Sequence, residues 1–140
     1  MQPLQDYLAI PLQSNAMGLL DVTLSLNGII CHFHVDTGAS QSCLDRTHVD
    51  NLSLIETEVE YMAMGLGGEQ KVSKVTIEDF MIGSHAMSDF DLHIIDLSEV
   101  NAAVAQLGAE PIDGILGGDF LRQYQAVIDY GDEMLYIKVD

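Results

Sequence analysis

The feature that most constrains the fold is a pair of predicted strands that ends on an aspartate. Residues 19–26 alternate between apolar and polar side chains, which is the period-two pattern of a strand with one buried face. Asn27-Gly28 follows, and this dipeptide is a strong signal for a two-residue β-hairpin turn. Residues 29–35 form the predicted return strand, and Asp36 comes directly after it. The sequence therefore predicts a hairpin that delivers a carboxylate to the end of a strand.

The segment that follows this strand, Asp36-Thr37-Gly38-Ala39-Ser40, has two interpretations. Asp and Gly are common turn residues, so the segment can be an ordinary turn. It can also be a chemical centre, because a small hydroxyl residue and a glycine that permits close backbone approach can hold a carboxylate in place. Short motifs produce false positives, so the rest of the sequence has to decide between the two.

The rest of the chain predicts a mainly β fold with short helices. A helix is expected over residues 98–107, where Ser98 can cap the N-terminus and Gly108 can end the helix. A glycine-bounded apolar strand over residues 113–118 leads into a short helix over 119–125. Asp119 can accept hydrogen bonds from the first N–H groups of that helix. A brief turn is expected at 47–51, and further strands at 7–12, 41–44, 57–64, 70–77, 80–82, 90–95, 126–130 and 134–139.

Length and charge limit the domain count and the partners. A chain of 140 residues with 48% apolar residues is expected to be one domain, residues 1–140. Five basic and 22 acidic residues give a formal net charge of −17, which argues against nucleic acid as a partner. The same charge predicts that two copies repel at neutral pH and that acidification relieves the repulsion.

No stretch reaches the roughly 18 uncharged apolar residues that a membrane span needs. The N-terminus also lacks the positive start and apolar core of a secretory signal. We therefore expect a soluble protein with the cytoplasm favoured, and a trimmed leader or anchor stays an open alternative.

Two cysteines, Cys31 and Cys43, flank the segment after the predicted hairpin. Free, packed thiols are the favoured interpretation. A disulfide across the loop would need an oxidising compartment and suitable geometry.

Three side chains on one face of the return strand raise the question of a metal site. His32, His34 and Asp36 share that face because side chains alternate along a strand. Three in-line strand residues seldom surround a tetrahedral ion without a distant fourth ligand, so no metal is expected.

Three segments, in order and at similar spacing, resemble the retropepsin-like aspartic proteases, the single-domain relatives of pepsin and the retroviral proteases. Asp36-Thr37-Gly38-Ala39-Ser40 resembles the active-site segment, and Met64-Gly65-Leu66-Gly67-Gly68 resembles the glycine-rich tip of the flap hairpin. Residues 114–121 (GILGGDFL) resemble the segment that crosses behind the catalytic loop and leads into a helix. The resemblance frames about residues 20–137 and implies a mainly β, single-lobe acid protease barrel with a flap hairpin and short helices.

The resemblance also implies roles for particular residues. Asp36 is implied as the catalytic carboxylate, Thr37 as the residue that ties two such loops together, and Gly38 as the point where backbone approaches substrate. No cofactor is implied. Substrate-binding residues implied by the same motifs are His34, Ala39, Ser40, Gly65, Leu66, Gly67, Gly68 and Ile115.

The sequence departs from the family at three positions. Retroviral enzymes often carry an acidic residue where Ser40 stands and an Arg where Gly118 stands, and these two residues pair. His34 occupies a position that is usually apolar. The dimer contact of this chain is therefore expected to differ, and its last strand is expected to pair within a hairpin of its own chain.

The chemistry of the implied site requires two carboxylates that share one proton, one accepting a proton from water while the other donates to the peptide carbonyl. This chain has one Asp-Thr-Gly, so the second carboxylate must come from a second copy in a twofold homodimer. We expect a homodimeric aspartic endopeptidase that cuts peptide or protein substrates and is more active in mild acid. The alternatives are a catalytically silent module of the same fold, which binds peptides or mediates dimerisation, and a metal-dependent hydrolase using His32, His34 and Asp36.

Overall fold

The structure, a computed structural model, describes residues 5–62 and 69–139, and residues 58–62 and 69–72 are considered by their backbone pairing alone. The fold is mainly β, with three short helices in the described part. The helices are α1 (His48–Asn51), α2 (Ser98–Gln106) and α3 (Gly118–Gln123). The strands are β1 (Tyr7–Pro11), β2 (Gln13–Ser14), β3 (Leu20–Leu26), β4 (Ile29–Val35), β5 (Cys43–Asp45), β6 (Thr57–Met62), β7 (Glu69–Ile77), β8 (Phe80–Ile82), β9 (His85–Met87), β10 (Phe90–Ile95), β11 (Gly114–Leu116), β12 (Val127–Asp129) and β13 (Met134–Lys138).

The predicted hairpin before Asp36 is confirmed. β3 and β4 pair antiparallel from Leu26↔Ile29 to Asp21↔His34. The turn residues Asn27 and Gly28 have φ values of 51° and 83°, the left-handed backbone that a two-residue hairpin turn requires. The apolar residues of β3 are buried and its polar residues are not, so the alternating pattern marks the face that packs on the core.

Most strands belong to one large, curled sheet that forms a half-barrel. Its strand order is β6-β7-β10-β5-β11-β4-β3-β8-β9, with β2 paired to β3. β11 lies in the middle, parallel to β4 and antiparallel to β5, although it follows β4 by about 80 residues in the chain. The strand that ends at Asp36 is therefore flanked on both sides, by β3 and by β11.

A second, three-stranded antiparallel sheet has the order β1-β13-β12. β13 pairs with β1 from Tyr7↔Lys138 to Pro11↔Met134, and with β12 from Val127↔Tyr136 to Asp129↔Met134. Both edges of the last strand are thus used within the chain, which confirms the expected closing hairpin.

The core lies inside the curled sheet and contains the start of α3. Phe120 of α3 is fully buried, and its ring centroid lies 6.0 Å from that of Phe80 and 5.6 Å from that of Phe90. Aromatic rings at these separations add to the stability that burial alone supplies. This packing fixes α3, and hence the residues that precede it, behind the loop that begins at Asp36. A smaller apolar cluster of Leu97, Val104 and Ile112 anchors α2.

Several details differ from the sequence-based expectation. The helix predicted over 98–107 is present as α2 and is followed by Gly108 at φ 74°, but Ser98 does not cap it. The Ser98 N–H instead donates to the Asp96 carboxylate at 2.9 Å. The turn expected at 47–51 contains the short helix α1, and the strands β2 and β9 were not expected.

The two strands of the predicted flap pair with each other, as a hairpin requires. β6 and β7 are antiparallel from Thr57↔Lys74 to Met62↔Glu69. The predicted tip residues Gly65, Leu66, Gly67 and Gly68 lie outside the described residues, so their role stays a prediction. Within the described part, no helix has both the length and the apolar character needed to cross a membrane.

Candidate active site

Asp36 sits where β4 leaves the middle of the sheet. Its N–H donates to the Leu116 carbonyl at 3.0 Å, one step beyond the paired residues Val35 and Leu116. The position of the carboxylate is therefore set by two neighbouring strands and not by the loop alone. Asp36 is half-buried, whereas Thr37 and Gly38 are exposed.

The Asp-Thr-Gly segment forms a turn that orients the carboxylate. Asp36 Oδ1 accepts the Gly38 N–H at 2.9 Å, and the Asp36 carbonyl accepts the Ala39 N–H at 3.2 Å. Oδ2 of Asp36 has no hydrogen-bond partner among the described residues. One carboxylate oxygen is thus held by the backbone, and the other is not held by any described residue. The turn and the chemical centre are compatible interpretations of the same residues.

The segment after β11 crosses directly behind this loop. The Gly118 N–H donates to the Ala39 carbonyl at 2.7 Å, and the Asp119 N–H donates to the Ser40 carbonyl at 3.1 Å. A Cβ atom on Gly117 would lie 2.8 Å from the carbonyl oxygens of Ala39 and Gln41, a contact that real Cβ atoms do not make. A glycine is therefore required at 117 for the close approach of the two backbones.

The neighbouring glycines of this segment are not equivalent. A Cβ atom on Gly114 would lie 2.5 Å from the Phe33 ring and from the Cys43 carbonyl oxygen, so Gly114 lets β11 fit between its two neighbours. A Cβ atom on Gly118 would meet nothing nearer than the Ala39 carbonyl at 3.4 Å, an ordinary contact distance. Position 118 can therefore accept a side chain, in line with the Arg that retroviral enzymes often carry there.

Buried Ser42 and half-buried Asp119 form a linked pair that joins the loop after β4 to the segment that crosses behind it. Ser42 Oγ donates to Asp119 Oδ1 at 2.7 Å and accepts the Gly117 N–H at 2.8 Å, while the Ser42 N–H donates to Asp119 Oδ2 at 3.0 Å. Asp119 Oδ1 also accepts the Phe120 N–H at 2.8 Å. Asp119 therefore binds mainly to the loop after β4, beyond the helix-capping role that its sequence position indicated. Sequence analysis did not single out Ser42, because a serine in a polar loop gives no sign of a partner 77 positions away.

Asp36 lines a cleft with a volume of about 210 Å³. His34 and Thr37 line the same cleft, so the structure brings these sequence candidates together. Val35 of β4 also lines it, and its other walls come from the start of β3 and the end of β12, through Gly18, Leu19, Leu20, Ile128 and Tyr130.

Three other candidates lie elsewhere around the loop. Ala39 is half-buried and Ser40 is exposed on the segment that Gly118 and Asp119 contact. Ile115 packs against the apolar cluster beside α2 and does not line the cleft that holds Asp36. A role for Ile115 in substrate binding therefore stays a prediction.

His34 belongs to a polar network at the wall of the cleft. Its Nδ1 lies 3.2 Å from the Leu20 carbonyl oxygen and 3.4 Å from Asp21 Oδ1. The nearby Asp21 carboxylate raises the pKa of His34, with smaller support from the Leu20 carbonyl and the Asp36 charge, and partial burial opposes the rise. Asp21 in turn accepts a hydrogen bond from Asn15 Nδ2 at 3.1 Å.

His32 and His34 have different surroundings although they share a strand. His32 is exposed, and its Nδ1 lies 3.4 Å from the Thr23 hydroxyl. It borders a separate cleft that Asp36 does not line. Among the described residues, no three His, Cys, Asp or Glu side chains are grouped closely enough to hold a metal ion.

The two cysteines are free thiols, as expected. Burial raises the pKa of Cys31 to about 11, with a further contribution from the Asp113 charge. Burial likewise raises the pKa of Cys43 to about 11, helped by Asp119. Both thiols are therefore protonated at neutral pH and are poor nucleophiles.

A single curled β-lobe, with an Asp-Thr-Gly loop at a strand end and a glycine segment crossing behind it, is the architecture of the retropepsin-like aspartic proteases. Crystal structures show the same fold. A retropepsin-like aspartic protease from Rickettsia conorii matches with a TM-score of 0.59 and 20% identity, over 94% of this chain and 89% of that chain. The retroviral protease-like domain of Ddi1 from Leishmania major matches with a TM-score of 0.59 and 18% identity, over 85% of this chain and 86% of that one.

A family model described as aspartyl protease matches residues 22–120. The chain therefore belongs to the aspartyl protease family, and the expected family and fold class are confirmed. Among curated protein sequences, none matches it significantly.

Proposed function

We propose that this protein is an aspartic endopeptidase that is active as a homodimer. The observation that carries the proposal is the setting of Asp36, whose Oδ1 accepts the Gly38 N–H while the residue lines a cleft of about 210 Å³. The hydrogen-bonded Ser42–Asp119 pair behind the loop supplies the rigidity that a catalytic carboxylate needs.

The proposed reaction uses one Asp36 from each chain. Two carboxylates that face each other across the dimer axis cannot both ionise, so they share one proton. The ionised carboxylate takes a proton from water as the water oxygen bonds to the peptide carbonyl carbon, and the protonated one donates to the carbonyl oxygen. The C–N bond then breaks as the carbonyl forms again: the leaving nitrogen takes a proton from one carboxyl group, and a hydroxyl of the tetrahedral intermediate gives its proton to the other, so that the dyad again shares one proton. No metal or cofactor takes part in this scheme.

Several features support a dimer contact at the edge of the small sheet. Both edges of β13 are occupied within the chain, so exchanging terminal strands between copies would displace β1 or β12. β12 has its outer edge unpaired in the described part of the chain, and Ile128 of β12 lines the cleft that Asp36 also lines. A twofold contact along this edge keeps all intrachain pairing, and we infer that Thr37 meets its counterpart near the axis.

The proposed substrate is an extended peptide that lies between the β6–β7 hairpin and the loop at Asp36. Peptides bound in this way gain main-chain hydrogen bonds from the protein, and side-chain pockets then supply selectivity. In this proposal the backbone of Gly38, Ala39 and Ser40 and the hairpin residues 65–68 contact the peptide. The net charge of −17 disfavours nucleic acid as the substrate.

The test is cleavage of a peptide library, followed by mass spectrometry, with wild type beside Asp36→Asn at mildly acidic and at neutral pH. Asn is a matched change, because its side-chain oxygen can still accept the Gly38 N–H. We expect internal cuts by wild type alone, and more of them in mild acid, where protonation of carboxylates weakens repulsion between copies. Equal cutting by both proteins would refute the proposal, and peptide binding without cutting would favour the catalytically silent module.

A further inference from the structure

We propose that His34 is a specificity-determining residue that makes the subsite beside Asp36 polar and selects a carboxamide side chain, Gln or Asn, in the substrate. The inference rests on the proposed function, since it names the substrate side chain for that same site. It also departs from the apolar side chain that most members of the family carry at this position.

The position of His34 places it in reach of a bound side chain. It lies two residues before Asp36 on the same face of β4, and both residues line the 210 Å³ cleft. The other walls of that cleft are the loop Gly18–Leu20 and the residues Ile128 and Tyr130. A substrate side chain that enters beside Asp36 therefore meets the imidazole.

The hydrogen bonds of His34 fix which ring nitrogen holds the proton. Nδ1 lies 3.2 Å from the Leu20 carbonyl oxygen, which can only accept, so Nδ1 carries the hydrogen in the neutral ring. Nε2 has no partner among the described residues. Nε2 is consequently an acceptor when the ring is neutral and a donor when the ring is protonated.

The ring is held by the same residues that build the wall of the cleft. Asp21 faces Nδ1 at 3.4 Å and accepts from Asn15 Nδ2 at 3.1 Å. Asn15 Oδ1 accepts the N–H groups of Met17 and Leu19, which shapes the loop beside the cleft. The imidazole is therefore preorganised and does not need to be ordered when a peptide binds.

A carboxamide is the side chain that satisfies Nε2 in both protonation states, because it carries both a donor and an acceptor. An apolar side chain would exclude water from Nε2 and leave it unpaired, which lowers affinity. A carboxylate would match only the protonated ring and would lie near the carboxylates of Asp21 and Asp36. An ammonium group would match only the neutral ring.

The experiment compares two peptide series that differ only in carrying Gln or Leu, which are similar in size, at each position in turn. Cleavage is measured as kcat/KM for wild type, His34→Leu and the matched control His32→Leu on the same strand. We expect wild type and His32→Leu to prefer Gln over Leu at one position by at least about fivefold. His34→Leu is expected to lose or reverse that preference.

Other outcomes overturn the inference. It is wrong if wild type prefers Leu at every position, or if His34→Leu keeps the wild-type preference. It is also wrong if His34→Leu lowers the dimer fraction in sedimentation without changing the preference for Gln over Leu, since His34 would then stabilise the dimer interface and not select the substrate.

Binding separates this inference from the proposed function. The same peptides are titrated against Asp36→Asn, and against Asp36→Asn combined with His34→Leu, with fluorescence anisotropy as the readout. One outcome is that wild type cuts no peptide, Asp36→Asn binds Gln peptides more tightly than Leu peptides, and the double variant shows no such preference. That outcome supports the Gln-selective subsite and refutes the endopeptidase proposal. Equal binding of Gln and Leu peptides by the first protein would refute the subsite.

Discussion

The Ser42–Asp119 pair makes a quantitative prediction about the loop that holds Asp36. Replacing Ser42 by Ala removes a hydrogen bond to a carboxylate and leaves the buried Gly117 N–H without its acceptor. A hydrogen bond to a charged group contributes about 1.5–3 kcal/mol, and a buried unpaired donor costs about 1–3 kcal/mol. Asp119 still accepts the N–H groups of Ser42 and Phe120, so we expect a loss of unfolding free energy in the lower half of the summed range, about 2.5–4 kcal/mol.

A loss of that size is measurable and leaves the protein folded, since domains are stable by about 5–15 kcal/mol. In urea, with a slope of about 2 kcal/mol per molar, the unfolding midpoint should fall by about 1–2 M. Ser88→Ala is the matched control, because Ser88 is exposed, and it should leave the midpoint within about 0.3 M.

A double-mutant cycle assigns the loss to the pair itself. The coupling between Ser42→Ala and Asp119→Ala should be at least about 1 kcal/mol, because each change alone breaks the same bond. A Ser42→Ala protein as stable as wild type, or additive effects of the two changes, would show that the pair does not brace the loop.

Three further predictions concern the glycines, the histidine network and the thiols. Gly117→Ala should lower the melting temperature strongly and Gly118→Ala only slightly, because only the first Cβ would collide with backbone; equal melting temperatures would contradict this. The pKa of His34 is raised in the folded protein, chiefly by Asp21, so the stabilisation is present below the unfolded value of about 6.5 and is lost as pH rises through the folded pKa. Urea unfolding of wild type and Asp21→Asn should therefore differ most below about pH 6.5 and converge in alkali, and a difference that grows with pH would refute the assignment. Both thiols, buried Cys31 and half-buried Cys43, should resist iodoacetamide at pH 8 in the native protein, because their pKa values are raised, and should react once the protein is unfolded; rapid alkylation of the native protein would contradict this.

The local parts of the fold could be predicted from sequence because their signals are local. The alternation in β3, the Asn27-Gly28 turn and the apolar run of β4 together placed Asp36 at a strand end. α2 was also found, although its N-terminal partner is Asp96 and not Ser98. Elements such as β2 and β9 are only two or three residues long, which is too short to show a period.

The non-local parts could not be read from the residues alone. Nothing in residues 114–116 indicates that they insert between β4 and β5, and only the family resemblance suggested a segment crossing behind the loop. The pairing of Ser42 with Asp119 is likewise a long-range contact. His34 was recognised as a departure from the family, but its partners Leu20 and Asp21 became evident only from the register of β3 and β4.

The most direct test of the central claim, that one active site takes an Asp36 from each of two chains, is a subunit-mixing assay. Wild type and Asp36→Asn are unfolded together, refolded at increasing proportions of the variant, and assayed in mild acid on a peptide that wild type cuts. With random pairing and an equal amount of variant, activity per wild-type chain should fall to about half, and it should keep falling as the variant increases. Activity per wild-type chain that stays constant at every proportion would show that a single chain suffices, and the shared-site account would be wrong.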